Sequence, residues 1–284
     1  MTAGFRYSYN LIGFGGEDVA LSIDRLARLG YDAVEVEGEP ERHDPGKIRK
    51  LAGDAGLAVA SVCPNFTEER DLSHPDPQIR STAVAYLRAV AEFAAAVGAP
   101  LFIVAPTAYA RVRPLADPVD EWLWAVEGIR TAGDHASTLG VDLSLECWNR
   151  YGTYMLNRLE EGARLWHETG LANGGVMADT FHMNIEERSV SSAILAHANF
   201  LNHVHLSDSN RLAPGLGHMD FAGVLQALIE VGYQRSLAFE LIPTLPNQLE
   251  ERQDPPSLDD VADKALHHMK RVEQMLAVGQ LETS

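Results

Sequence analysis

Short apolar runs alternate with amphipathic helical segments along the chain, and this alternation constrains the fold more than any other feature of the sequence. A predicted helix follows each run, and glycines stand at several predicted helix ends, as helix C-caps prefer. The predicted strands span residues 5–10, 33–38, 58–63, 101–106, 141–147, 176–181, 203–208 and 237–242. The chain is therefore expected to repeat a strand-helix unit eight times.

Eight units in 284 residues leave about 35 residues per unit, which fits a single (β/α)8 barrel with few insertions. No Ser/Gly-rich linker divides the chain, so residues 1–284 are predicted to form one domain. The first strand lacks a following glycine-rich GxGxxG segment, which argues against a dinucleotide-binding fold. A barrel places its chemistry at the carboxyl ends of its strands.

Charge and cysteine content restrict the possible partners and the compartment. With 23 Lys and Arg against 40 Asp and Glu the net charge is −17, which repels nucleic acid and anionic lipid surfaces. The longest uncharged stretch, 93–110, is interrupted by Gly98, Pro100 and Pro106, so no membrane span is expected. The N-terminus lacks the pattern of a signal peptide. Cys63 and Cys147 are predicted to be buried thiols of a reduced, cytoplasmic protein.

Charged and imidazole side chains close the last four predicted strands, which are otherwise apolar. A buried carboxylate costs several kcal/mol unless it is paired or binds a metal. A single residue of this kind is more often a satisfied structural group, but four at equivalent strand ends favour a divalent metal site. The expected ligands are Glu146, Asp179, His205 and Glu240. Three oxygens and one nitrogen favour Mn²⁺, with Mg²⁺ or Co²⁺ as alternatives, over structural zinc.

The loops after these strands carry two arginines that could reach the barrel mouth. Arg211 follows the seventh strand in a loop rich in glycine and proline, and we expect it to contact substrate. For Arg150, after the fifth strand, substrate contact and pairing with a nearby carboxylate are equally open. Trp148 could be a pocket wall or a core residue. Glu186 and Glu187 are expected to form a solvated helix start rather than to bind metal.

Four segments together resemble the ketose 3-epimerases of the xylose-isomerase-like barrel superfamily. They are LSLECWNRY at 143–151, MADTFHMNIEE at 177–187, HVHLSDSNRLAPGLGHMDF at 203–221 and FEL at 239–241. The resemblance implies metal ligation by Glu146, Asp179, His205 and Glu240, and contact of His182 and Arg211 with the carbonyl end of an open-chain sugar. It also implies a homodimer or homotetramer.

One position departs from this family. Six residues after Glu146, where the epimerases carry a second glutamate that contacts the substrate, this chain has Gly152. Simple ketohexoses such as fructose or tagatose are therefore expected to be poor substrates, because the glycine removes a carboxylate and opens space at the substrate end.

The strand order also predicts roles for two of the expected ligands. The fifth and eighth strands lie three positions apart in a ring of eight, roughly 135° around the axis. Glu146 and Glu240 could therefore face opposite sides of one enediolate, one removing a proton and the other returning it, which is epimerisation. Transfer on one face to an adjacent carbon would instead interconvert aldose and ketose.

Other activities fit the same residues. An isomerase or lyase acting on a larger keto sugar, an inosose or an oxidised glycoside is one alternative. An inactive sugar-binding barrel is another. A DNA-repair endonuclease of the same superfamily is disfavoured by the charge of −17.

Overall fold

A computed structural model of the chain describes residues 4–242 and 257–282, with side chains as far as residue 278. Within these residues eight parallel strands close into a barrel in chain order, with the last strand pairing with the first. The strands are β1 (Tyr7–Asn10), β2 (Ala33–Glu37), β3 (Ala58–Cys63), β4 (Leu101–Val104), β5 (Asp142–Glu146), β6 (Gly174–Asp179), β7 (Leu201–Leu206) and β8 (Leu237–Phe239). The predicted (β/α)8 barrel is confirmed.

Helices surround the barrel in the predicted alternation. They are α1 (Val19–Leu29), α2 (Pro45–Asp54), α3 (Pro77–Val97), α4 (Pro118–Thr138), α5 (Leu159–Thr169), α6 (Thr180–Glu186), α7 (Val190–Ala196), α8 (Phe221–Glu230) and α9 (Leu258–Glu282), with a 3-10 helix at Leu11–Phe14. In the described residues no helix is both long and apolar enough to cross a membrane.

Two differences from the sequence prediction affect the site. The eighth strand was expected to contain Glu240, but β8 ends at Phe239, and the Glu240 backbone N–H donates to the Leu206 carbonyl 3.1 Å away. A short helix, α6, precedes α7 where only one helix was expected, because Asp179 accepts hydrogen bonds from the N–H groups of Phe181 and His182 and caps it.

Local sequence explains most helix boundaries. The aspartates preceding α2, α3 and α4 each accept a backbone N–H bond, and each of these helices has proline in its first turn. The helix-ending glycines have positive φ, as at Gly30 with 82° after α1 and Gly98 with 83° after α3. These caps fix where each helix turns back toward the barrel.

The core has two layers. Large apolar side chains such as Phe102, Leu143 and Leu145 are buried between the strands and the helices. Inside the barrel, a small apolar cluster of Cys63, Ile103 and Met177 shares the space with polar side chains. Both cysteines are buried free thiols, as expected. The interior polar residues therefore lie at the centre of the barrel, below its mouth.

Candidate active site

Side chains from the last four strands meet at the carboxyl end of the barrel. Glu146 ends β5, Asp179 ends β6, His205 lies in β7 and Glu240 follows β8. One ligand atom from each lies within 4.8 Å of the others. The His205 Nδ1 atom is 2.9 Å from Glu240 Oε2 and 3.7 Å from Asp179 Oδ2. The structure thus brings together the four residues predicted as ligands.

This cluster contains more negative charge than its protein neighbours balance. Burial, followed by repulsion from Glu240, raises the pKa of Glu146 to about 8. Glu146 Oε1 is buried and has no hydrogen-bond partner among the described residues. Because a divalent cation would stabilise the charged form of such a carboxylate, three oxygens and one imidazole nitrogen at this spacing fit a divalent metal ion.

His182 lies beside the cluster, at the start of α6. Its Nδ1 accepts a hydrogen bond from the Asn149 backbone N–H, 3.1 Å away, so in the neutral ring the proton is on Nε2. The Nε2 atom lies 3.9 Å from Glu146 Oε1 and 3.8 Å from Asp179 Oδ2. Burial lowers the pKa of His182 to about 4. His182 is therefore a neutral hydrogen-bond donor near neutral pH.

Arg211 projects over the cluster from the loop between β7 and α8. Its Nη1 atom lies 2.9 Å from Asp179 Oδ2, and its Nη2 atom contacts Glu240 Oε2. The guanidinium lies 4.7 Å from the centre of the Phe181 ring. Burial would raise the pKa of Asp179, but Arg211 and His182 hold it well below its usual value. The guanidinium therefore stabilises the carboxylate form of Asp179 and also contacts Glu240.

The Arg211 backbone adopts a left-handed conformation, with φ of 62°, which non-glycine residues rarely occupy. Buried Asp208 holds this loop by accepting backbone N–H bonds from Ser209 at 2.7 Å, Gly215 at 2.8 Å and Met219 at 3.1 Å. Strained backbone held by its surroundings is common at functional sites. The loop thus fixes the guanidinium in place over the cluster.

Glu35 is a further candidate site residue, which the sequence prediction did not include. It lies in β2, is fully buried, and accepts a hydrogen bond from Ser61 Oγ at 2.5 Å. Its carboxylate lies 2.8 Å from Nε2 of both His203 and His205. The pattern that indicated Glu146, a carboxylate flanked by apolar strand residues, also occurs at Glu35 in AVEVE, between Val34 and Val36.

The contacts around Arg150 contradict the expectation that Glu186 is solvated, and they choose between the two alternatives left open for Arg150. Glu186, expected to be solvated at a helix start, is buried at the end of α6. It accepts hydrogen bonds from the Arg150 backbone N–H at 2.8 Å and from Nε at 2.9 Å. Glu187 accepts a hydrogen bond from the Leu159 backbone N–H at 2.9 Å and so holds the start of α5. Arg150 therefore pairs with a nearby carboxylate, which is one of the two roles that the sequence left open for it.

The space beside Gly152 is occupied, which corrects the expectation that the glycine opens it. A Cβ atom at this position would lie 3.0 Å from Trp148 Cβ and 3.3 Å from Tyr109 Cε2. Trp148 packs edge-on against Phe66 and Tyr109, with ring centroids 5.9 and 5.3 Å apart. Trp148 thus belongs to an aromatic cluster at the barrel mouth that fills the volume next to the glycine.

Comparison with known proteins supplies relatives for this arrangement. The xylose isomerase-like TIM barrel family matches residues 23–271. The chain is 31% identical to a D-psicose 3-epimerase of Ruminiclostridium cellulolyticum over 232 residues, 78% of each chain. It is 33% identical to a D-psicose 3-epimerase of Agrobacterium fabrum over 228 residues, 77% of each.

A solved structure is similar over almost the whole fold. It is a D-psicose 3-epimerase with D-tagatose from Clostridium cellulolyticum H10, which matches with a TM-score of 0.86 at 27% identity. The match covers 94% of this chain and 99% of that one.

Proposed function

Because the chain belongs to the xylose isomerase-like TIM barrel family and resembles D-psicose 3-epimerases, we propose that it is a divalent-metal-dependent ketose 3-epimerase. The observation that carries this proposal is the convergence of Glu146, Asp179, His205 and Glu240 within 4.8 Å at the barrel mouth. These four residues would hold the ion. When bound, it supplies Lewis-acid stabilisation of negative charge on the sugar oxygens.

Glu146 and Glu240 are the proposed acid and base. Glu146 ends β5 and Glu240 directly follows β8, and these two strands lie three positions apart in the ring of eight. One removes the proton from C3 of the open-chain ketose, and the C–H electrons form the C2–C3 double bond of an enediolate. The other glutamate then delivers a proton to C3 from the opposite face, which inverts its configuration.

His182 and Arg211 are proposed to bind and orient the sugar. The Nε2–H of neutral His182 faces the cluster and would donate to a sugar oxygen. Arg211 stays protonated and already contacts Asp179 and Glu240, so it would stabilise developing negative charge and would not serve as a base. Both residues would act mainly on binding and orientation.

The remaining assignments are finer proposals. We propose Mn²⁺ as the working ion, with Mg²⁺ or Co²⁺ able to replace it, since the donor set is rich in oxygen. We also propose a cytoplasmic homodimer or homotetramer that acts on a small sugar, without nucleic acid or membrane partners. The charge of −17 supports the last two exclusions.

The decisive experiment is proton exchange on a panel of ketoses. The Mn²⁺-loaded protein would be incubated with D-fructose, D-tagatose, D-psicose and L-ribulose in deuterated water and followed by NMR. We expect deuterium at C3 together with the C3 epimer, and no exchange after chelation. Exchange at C1 with formation of an aldose would instead indicate an isomerase. A protein that binds Mn²⁺ yet exchanges no proton on any sugar would contradict the enzymatic assignment.

A further inference from the structure

Glu35 connects the two sides of the barrel interior. It lies in β2, three strands around the wall from β7, so its contacts with His203 and His205 cross the interior rather than follow the sheet. All three side chains are buried, with Glu35 and His205 0% exposed. A carboxylate enclosed in this way is stable only when both oxygens have partners.

The two oxygens of Glu35 face different groups. Oε2 accepts the Ser61 hydroxyl at 2.5 Å and lies 2.8 Å from His203 Nε2. Oε1 lies 2.8 Å from His205 Nε2. The carboxylate is therefore held from two directions, by Ser61 and His203, while its second oxygen faces the one imidazole of the proposed metal centre.

The two nitrogens of His205 face different groups. Nδ1 points at the proposed centre, 2.9 Å from Glu240 Oε2, and Nε2 points at Glu35. A neutral imidazole carries one proton, and a proton on Nε2 leaves the Nδ1 lone pair free for a cation. We propose that Glu35 is a positioning residue that keeps the proton on Nε2 and fixes the ring so that Nδ1 is the ligand atom. This inference rests on the proposed function.

A second metal ion is the competing explanation, because Glu35, His203 and His205 also offer ligand atoms within 4.8 Å of one another. However, Glu35 already lies 2.8 Å from each imidazole nitrogen, hydrogen-bonded to His203 and at ion-pair distance from His205. Carboxylate partners of metal-ligating histidines commonly play this orienting role. The geometry therefore favours a single ion at the proposed centre, with Glu35 supporting its histidine ligand, and predicts one ion per chain.

The test compares Glu35→Ala and Glu35→Gln with Ser61→Ala as the matched control. Ser61→Ala removes a hydrogen bond from the same carboxylate without touching His205. Chelator-treated proteins would be titrated with Mn²⁺ by calorimetry, and circular dichroism would verify folding. We expect Glu35→Ala to raise the Kd for Mn²⁺ by about 10- to 100-fold, and Glu35→Gln to raise it less, since its amide oxygen can still accept. Ser61→Ala should stay near the wild-type value.

Two further readouts separate positioning from general damage to the fold. The visible absorption of the Co²⁺-loaded protein should change in Glu35→Gln but not in Ser61→Ala, because only the first alters the His205 environment. If Glu35→Ala fails to fold, the Gln variant decides by its Kd and spectrum. The inference is overturned if wild-type protein binds two Mn²⁺ per chain, or if Glu35 variants bind Mn²⁺ unchanged while wild-type protein epimerises sugar. A wild-type chain that binds no Mn²⁺ would instead remove the proposed centre itself.

Discussion

The charged groups at the barrel mouth are arranged differently over β2–β4 and over β5–β8. Near the first region two acidic side chains each pair with an arginine: Glu39 with Arg70 at 2.6 Å, and Glu121, in α4, with Arg111 at 2.7 Å. In the second region Glu146 has a buried oxygen without a hydrogen-bond partner among the described residues. Glu39 and Glu121 are therefore neutralised by arginines, whereas the second region has a donor set suited to a cation.

The pKa shifts reflect this contrast. Burial would raise the pKa of Glu39, but Arg70 and Asn65 outweigh it and the pKa is lowered. Burial and the nearby Glu240 raise the pKa of Glu146 to about 8. Carboxylates that burial affects in the same direction thus differ because Glu39 is hydrogen-bonded to a guanidinium, whereas Glu146 faces a second carboxylate. We infer that the Glu39–Arg70 and Glu121–Arg111 pairs stabilise the fold, whereas the buried carboxylates of the β5–β8 region lower stability and serve the proposed chemistry.

The largest effect should follow the removal of either proposed acid or base. Glu146→Gln and Glu240→Gln should each lower kcat by about 10²- to 10⁴-fold, because proton transfer in the transition state is lost. Steady-state kinetics on the best ketose of the panel would measure it, with metal content determined for each variant. A fully metallated Glu146→Gln protein with near wild-type turnover would refute the acid-base role.

Glu121→Ala should have the opposite profile, a loss of stability without a loss of chemistry. Glu121 is fully buried, pairs with Arg111, and accepts the backbone N–H bonds of Leu115 at 2.5 Å and Ala116 at 2.6 Å. Removing one partner of a buried pair should lower the free energy of unfolding by about 3 kcal/mol. Urea denaturation would measure this, and kcat below the melting range should be unchanged. A fall in kcat comparable to that of Glu146→Gln would break the division between the two regions.

The stability contributed by Glu121 should depend on pH. Burial alone would raise its pKa, but Tyr154, Arg111 and two backbone N–H groups lower it. A lowered native pKa gives stability that is present above the unfolded value, about 4.3, and is lost as pH falls through the native value. The difference in unfolding free energy between wild-type and Glu121→Ala proteins should therefore narrow below about pH 4. A difference independent of pH would contradict an ionised Glu121.

A smaller effect should separate the two arginines next to the site. Arg211→Ala should lower kcat/KM by about 10- to 100-fold, the equivalent of one charged hydrogen bond. Arg211→Gly removes the same group and relaxes the backbone at φ of 62°, so equal losses in both variants would attribute the effect to the guanidinium. Arg150→Ala is the control, because its side chain is 60% exposed and pairs with Glu186. Matching losses at both arginines would argue against a special role for Arg211.

The sequence was sufficient for the barrel and for the convergence of the four expected ligands, because the carboxyl ends of parallel strands meet at one edge. It was not sufficient for contacts that depend on loop conformation. The pairing of Arg150 with Glu186 needs the turn made by α6, which Asp179 caps. The position of the Arg211 guanidinium over the cluster depends on a left-handed backbone conformation, which residue spacing does not predict.

Glu35 shows a different limit of sequence interpretation. Its strand was predicted within one residue of the observed β2, yet a single buried carboxylate has many structural explanations. Only the closed barrel shows that it lies 2.8 Å from His205, whose other nitrogen faces the proposed centre. Contacts across the interior of a barrel join residues of distant strands, and neither spacing nor periodicity identifies them.

The smallest effect is expected at Gly152, where the two regions touch. Gly152 lies in the loop after β5, and Tyr109 of the loop after β4 packs beside it. A new Cβ would lie 3.0 Å from Trp148 Cβ, which the backbone fixes, and 3.3 Å from the ring of Tyr109, which is 60% exposed and can move. Gly152→Ala should therefore cost about 1 kcal/mol of unfolding free energy, the low end for overpacking.

Gly152→Glu combined with Tyr109→Ala then tests whether the glycine or its aromatic neighbour limits activity on simple ketoses. Alone, Gly152→Glu should change kcat/KM on D-fructose and D-tagatose little, because Tyr109 occupies the volume that the new side chain needs. With Tyr109→Ala the carboxylate gains that volume, so the fold-change in kcat/KM of the double variant should exceed the product of the fold-changes of the two single variants. A double-mutant cycle measures this coupling directly. Strict additivity would mean that Tyr109 does not restrict this position. A wild-type protein already fast on both sugars, and unimproved in either glutamate variant, would show that Gly152 is neutral for specificity.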